Sequence, residues 1–234
     1  MAQQDRAVRP EHAERVVRFL SDGFSDYIAA RVLLLQGLLQ QGAILASTAL
    51  EKYLKATMAS HGDESHGHLK KAHWATVRNK YPELFSLMNE SFLKLCQKCY
   101  DLRYTLDVPR GYNVVIASRE FLAELDHTVL LMETRFVRAN ASGIPEKTRF
   151  ELMTEGQDER LLRDNHVLLK QDKNAFVYGA AQTVHELRRI SNGRIVELTY
   201  RTGSIPNDPS FTREAFVPKA GDDRSYELSH LPFQ

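Results

Sequence analysis

Arg103 sits between two tyrosines in Tyr100-Asp101-Leu102-Arg103-Tyr104. A guanidinium in that setting offers a planar fork of donors suited to phosphate, and the flanking phenol rings can stack a base. The alternative is that Arg103 ties its loop to Asp101 or Asp107 while the tyrosines fill the end of a core. Glu51 and Lys55 lie four residues apart, acid first, with Lys52 beside them. On a helix that order makes a surface pair worth a few tenths of a kcal/mol, about 0.3–0.5. His61, His66, His68 and His73, with Asp63 and Glu64 among them, could hold a transition metal through imidazole nitrogens or form a solvated loop. Their spacing matches no fixed zinc pattern, so no metal is expected. Cys96-x-x-Cys99 has the spacing of a redox pair or half a zinc site. It continues an apolar helical stripe and has no second pair, so both cysteines are expected to be buried as small hydrophobes.

Other catalytic signatures are missing. The chain has no G-x-x-x-x-G-K-[ST] and no G-x-G-x-x-G, the two common ways of cradling phosphates on backbone N–H groups. It also lacks a G-x-S-x-G elbow, and His185-Glu186-Leu187-Arg188-Arg189 fails as a metal helix at its last ligand. No cofactor is expected.

The elements that would carry these residues change character near residue 140. A first helix is expected after Ser21 or Asp22, either of which can cap it, with Phe24, Tyr27, Ile28, Val32, Leu34, Leu35, Leu38 and Leu39 as its stripe. Gln40-Gln41-Gly42 reads as a short link to an antiparallel second helix from Ala43 to about Ser60. A third segment runs from Lys71 to Lys80 and stops at Tyr81-Pro82. A fourth carries Leu84, Phe85, Met88, Phe92, Leu95, Cys96 and Cys99 on one face. Past the Pro109-Arg110-Gly111 turn, Asn113 can cap a long last helix through Phe121, Leu125, Val129, Met132 and Phe136. Beyond residue 150 the pattern predicts a short helix around Gln157–Arg163. Strands are expected at Val167–Leu169, Ala175–Ala181, Val184–Ile190 and Arg194–Arg201. Asp172-Lys173-Asn174 and Ser191-Asn192-Gly193 read as turns, and Asn-Gly marks a hairpin. After Ser204 the tail reads as irregular, pinned by Phe211 and Phe216. The fold expected is α+β: an antiparallel helical bundle with a short N-terminal helix over residues 1–140, then a small antiparallel β-meander and irregular tail over 141–234.

With 234 residues, 43% hydrophobic, the chain has ample material for a core. A formal net charge of +1 excludes a protein built wholesale around a polyanion but not a local basic patch. Two cysteines exclude a disulfide-stapled scaffold. The apolar run Val32–Leu39 is broken by Gln36 and Gly37, and the charged first twenty residues lack the apolar core of a signal peptide. A soluble, cytoplasmic protein with no membrane partner is the expectation.

Residues 22–138 resemble a HEPN domain, the helical module named for higher eukaryotes and prokaryotes nucleotide-binding. The resemblance rests on the alanine-rich run Ala43–Ala56, ending Glu51-Lys52-Tyr53-Leu54-Lys55-Ala56, which is similar to the family's Glu-Lys-x-x-Lys-Ala signature. It rests also on His68-Leu69, and on Tyr100-x-x-Arg103-Tyr104, which has one residue fewer than the family's Tyr-x-x-x-Arg-Tyr-Pro and no proline at 105. The resemblance implies an antiparallel bundle that forms a homodimer, often in toxin–antitoxin, antiviral (phage defence) or RNA-processing systems. Surplus apolar stripe on the first two helices and the last one argues for a dimer independently.

Many members of the family are metal-independent ribonucleases with an arginine followed four to six residues later by a histidine. Here that spacing occurs at Arg6/His12, Arg160/His166 and Arg224/His230, and chance alone yields about two such pairs. None falls within residues 22–138. The function implied is therefore binding of a nucleotide or RNA without the usual nuclease motif, by Lys55, His68, Arg103 and Tyr104 with Tyr100 and Arg110 in support. One alternative is a divergent ribonuclease pairing His68 or His73 with Arg103. Another is a structural dimer or adaptor whose residues 150–234 dock a protein partner.

Overall fold

The computed structural model describes residues 10–63, 67–69, 71–139 and 142–216. Helices α1 (Pro10–Leu35) and α2 (Leu39–Ala59) form a long antiparallel hairpin. Their link is Gln36-Gly37-Leu38, four residues earlier than expected, and Gly37 supplies the positive φ (80°) that reverses the chain. Gln40-Gln41-Gly42 is helical instead. Gly42 lets the helices touch, because a Cβ there would lie 2.7 Å from the Leu34 side chain. Ala43, Ala46 and Ala49 continue that close, fully buried face. Neither Ser21 nor Asp22 caps α1, which runs through both; Val16 packs with Ala56 and Ala59, extending the hairpin seam.

Helix α3 spans Lys71–Lys80 and ends at Tyr81-Pro82 as expected. The next stripe is not one helix. It splits into α4 (Pro82–Ser86) and α5 (Glu90–Asp101), because the Asn89 side chain accepts the backbone N–H groups of Ser91 and Phe92 and starts a new helix. Cys96 and Cys99 are fully buried free thiols, and burial raises both pKa values. A 3-10 turn, Leu102–Tyr104, follows α5.

Asn113 does not cap a helix. Asn113–Ala117 is strand β1, driven by the β-branched run Val114-Val115-Ile116, and α6 begins only at Ser118 and ends at Glu133. β1 pairs antiparallel with β4 (Gln182–Arg189), which pairs with β5 (Ile195–Thr202) across the Asn192-Gly193 turn, giving the sheet order β1-β4-β5. The sheet therefore takes an edge strand from the helical half of the chain. Two residue pairs, Arg138–Ala139 and Pro145–Glu146, form the short ribbon β2–β3.

The short helix expected around Gln157–Arg163 forms, and a further helix replaces an expected turn and strand. Thr148 forms a reciprocal cap with Glu151 at α7 (Arg149–Glu155), and Asp158 caps α8 (Glu159–Leu162). Val167–Leu169 lies in a turn, and Ala175–Ala181 overlaps helix α9 (Lys173–Tyr178), whose cap is Asp172 through Ala175 N–H. Residues 203–216 are irregular; Phe211 packs on Phe92 with ring centroids 5.7 Å apart, whereas the Phe216 ring is exposed. The molecule is thus α+β.

A buried polar network joins the two halves. Arg31 pairs with Asp126 on α6 and donates to the carbonyls of Arg160 (3.0 Å) and Arg163. Tyr27 donates to the same carboxylate at 2.8 Å. Both charged side chains are wholly removed from solvent. Of the apolar stripes on which the dimer expectation rests, Phe121, Leu125, Val129 and Met132 are buried within one chain, whereas Leu38 is exposed. No helix among the described residues is long and apolar enough to cross a membrane.

Candidate functional site

Five of the six singled-out residues meet at one place. Helix α2 presents Glu51 and Lys55 one turn apart, the segment after it brings His68, and the end of α5 with its 3-10 turn brings Tyr100, Arg103 and Tyr104. The His68 imidazole stacks on Tyr100 with centroids 4.1 Å apart and a 29° tilt. The Arg103 guanidinium lies 3.5 Å from the same ring centre. Two groups that close to one ring centre cannot share a side without overlap, so they cover opposite faces of the phenol. Tyr104 is 5.7 Å from Arg103 and 65% exposed.

Arg103 does not make the expected aspartate tie. It forms no ion pair with Asp101 or Asp107 among the described residues and is held instead by cation–π contact. This arrangement also changes the stacking expectation. Both faces of Tyr100 are occupied, so an incoming base would stack on the outer face of His68 or on Tyr104.

Beneath the stack, Lys55 Nζ donates to Glu51 Oε1 and to the Gly67 carbonyl, each at 2.7 Å, which fastens the segment carrying His68. The Glu51–Lys55 pair is not the solvated surface pair its spacing suggests, since Glu51 is only 6% exposed. Glu51 Oε2 has no hydrogen-bond partner and lies 3.7 Å from His68 Nδ1. The Tyr100 hydroxyl and the Ser47 hydroxyl, one turn before Glu51, are likewise buried and unpaired. Burial raises the Tyr100 pKa, with the Arg103 charge pulling the other way. Buried polar atoms without partners are uncommon in native proteins, and here two of them belong to the same small cluster as an exposed imidazole and an exposed guanidinium.

Arg110 does not join the group. It is exposed in the turn whose Gly111 N–H donates to the Arg189 carbonyl, at the end of the β1–β4 pair. The histidines also disperse. His61 bonds the Tyr81 hydroxyl at 2.6 Å, His73 is buried, and His66 lies outside the described residues. No cluster of three or more His, Cys, Asp or Glu side chains suited to a metal occurs among the described residues. His73 is 1% exposed, which removes it as a partner for Arg103 at the surface.

Of the arginine–histidine spacings, Arg160 pairs with Asp158, and His166 is buried against Phe176. Arg6, Arg224 and His230 lie outside the described residues. Sequence reasoning missed Glu51 as a buried anchor and the Arg31–Asp126 pair; nothing local signals either, because both depend on which helix covers them. Cavities of about 600, 480 and 300 Å³ lie elsewhere, and the stack with its exposed His68, Arg103 and Tyr104 is a surface platform.

No known protein family matches the chain, and no curated protein or solved structure is detectably similar to it.

Proposed function

We propose that this chain is a HEPN-like protein that binds a nucleotide or RNA on the platform formed by His68, Tyr100, Arg103 and Tyr104. One observation carries the reading: residues 55, 68 and 100–104, distant in sequence, converge so that an exposed guanidinium and two exposed rings share one surface. A phosphate meets the Arg103 fork while a base lies on His68 or Tyr104. Lys55 is spent on Glu51 and Gly67, so its role is to position the segment bearing His68, not to touch the ligand. The described groups of the platform come from a single chain.

A labelled single-stranded RNA titration without added metal tests this. Arg103→Ala weakens binding about tenfold and lowers the salt slope by about one. Equal affinity and equal salt dependence for wild type and variant would reject the platform.

The approach of Glu51 Oε2 to His68 Nδ1 favours a second reading, a divergent ribonuclease. A small ring rotation would let the buried carboxylate orient the imidazole through Nδ1, leaving Nε2 to take the ribose 2′-hydroxyl proton while Arg103 meets the phosphorane charge. In that case His68→Ala and Glu51→Gln both abolish cleavage while RNA remains bound; binding with no cleavage by the wild type rejects it.

A further inference from the structure

A cluster of arginines, separate from the platform, gathers where the two halves of the chain meet. A polar cavity of about 300 Å³ is lined by Arg119 at the start of α6, Arg163 after α8 and Arg201 in β5, with Ser118, Asp164 and Thr183 between them. We propose that this cleft binds a phosphate dianion, whether inorganic phosphate or the terminal monoester phosphate of a nucleotide or RNA.

The charge balance carries the argument. Arg163 and Arg201 make no side-chain hydrogen bond or ion pair among the described residues, although arginines elsewhere on the surface, such as Arg78, Arg138 and Arg160, have carboxylate partners. Arg119 is anchored: its Nε donates to the Phe176 carbonyl at 2.7 Å and its guanidinium lies 4.2 Å from the Phe176 ring centre. Its one acidic neighbour, Asp164, is 3.9 Å away. Three arginines and a single carboxylate residue thus line one small volume, and an anion of charge near −2 neutralises the remainder.

The walls are held rather than loose. Arg31 fixes the carbonyls of Arg160 and Arg163 from below. The buried Gln182 accepts the Arg119 N–H at 3.0 Å and donates to the Val177 carbonyl at 3.1 Å, joining α6, α9 and β4. Thr183 pairs with Arg201 in the sheet, and both residues line the cavity. The positive end of the 16-residue α6 adds to the field. Several arginines around a compact space suit the three terminal oxygens of a phosphate better than a continuous backbone, which needs an open groove.

The test uses the full chain and calorimetric titration with inorganic phosphate, adenosine 5′-monophosphate, and one oligoribonucleotide with either a 5′-phosphate or a 5′-hydroxyl. Arg163→Gln and Arg201→Gln change exposed side chains, and each weakens phosphate binding about tenfold, from the loss of one charge-assisted contact. The double variant shows no binding and loses the phosphate-dependent rise in Tm that the wild type shows, which separates a lost site from a lost fold. His68→Ala leaves phosphate binding unchanged, so this site and the platform fail independently. Preference for the 5′-phosphorylated over the 5′-hydroxyl RNA identifies a nucleic-acid end as the source, and binding of phosphate alone identifies the free ion. Absence of binding in every arm, or undiminished binding by the double variant, overturns the proposal.

Discussion

Replacing Asp126 with alanine strips Arg31 of its carboxylate partner in a place that water does not reach. Both side chains are completely buried, and the Asp126 carboxylate also accepts the Tyr27 hydroxyl. Removing one member of a buried pair costs about 3–5 kcal/mol, because the remaining charge stays desolvated. Leaving the Tyr27 hydroxyl short of an acceptor adds about 1 kcal/mol. The two carbonyls that Arg31 retains offset part of this, so the expected loss is about 4 kcal/mol in urea unfolding. Against a total of roughly 5–15 kcal/mol for a globular protein that is severe. Arg31→Met combined with Asp126→Leu should recover most of it, since no charge is then left buried. A loss below about 1 kcal/mol for Asp126→Ala would refute the claim that this pair fastens the C-terminal segments to the bundle.

Other outcomes follow from the same structure. Burial pushes Glu133 up to about 7, opposed by the hydrogen bond it accepts from Tyr53. Between its unfolded value and 7 the folded state holds a proton that the unfolded chain has released. Stability therefore rises as pH falls from 8 to 5, by on the order of 2–3 kcal/mol from this group; Glu133→Gln should flatten that slope in pH-dependent urea melts, and an unchanged slope would count against it. Gly42→Ala places a methyl 2.7 Å from the buried Leu34 side chain and should cost about 1–3 kcal/mol by thermal melting, with a neutral result showing that α1 can move away. Cys96 and Cys99 should react with a thiol reagent only on unfolding; fast labelling of the native protein would contradict their burial.

The helical hairpin, the Pro82 break and the Asn192-Gly193 hairpin were legible because each rests on local physics: a 3.6-residue apolar period, a missing N–H, a left-handed φ of 88° at Gly193. Misreadings came where one short residue run supports two structures. Asn113 is a good helix cap, yet the valines and isoleucine after it found a partner in β4, and Asn113 instead bonds the tail at Arg213 and Ala215. Asp172 and the residues after it read as a turn before a strand, and Asp172 proved to be a cap.

By itself, the sequence determined which helices carry Lys55 and Tyr100, through their apolar stripes, while the resemblance singled out Lys55, His68, Tyr100, Arg103 and Tyr104 together. Tertiary structure alone decided what those residues do. Arg103 lies on Tyr100 and not on an aspartate, Lys55 is consumed by a buried Glu51, and Arg110 stands apart at the sheet edge. It also decided that Arg119, Arg163 and Arg201 share a cleft. The reason is that burial and charge balance are properties of contacts between segments far apart in the chain, whereas periodicity is written within each segment.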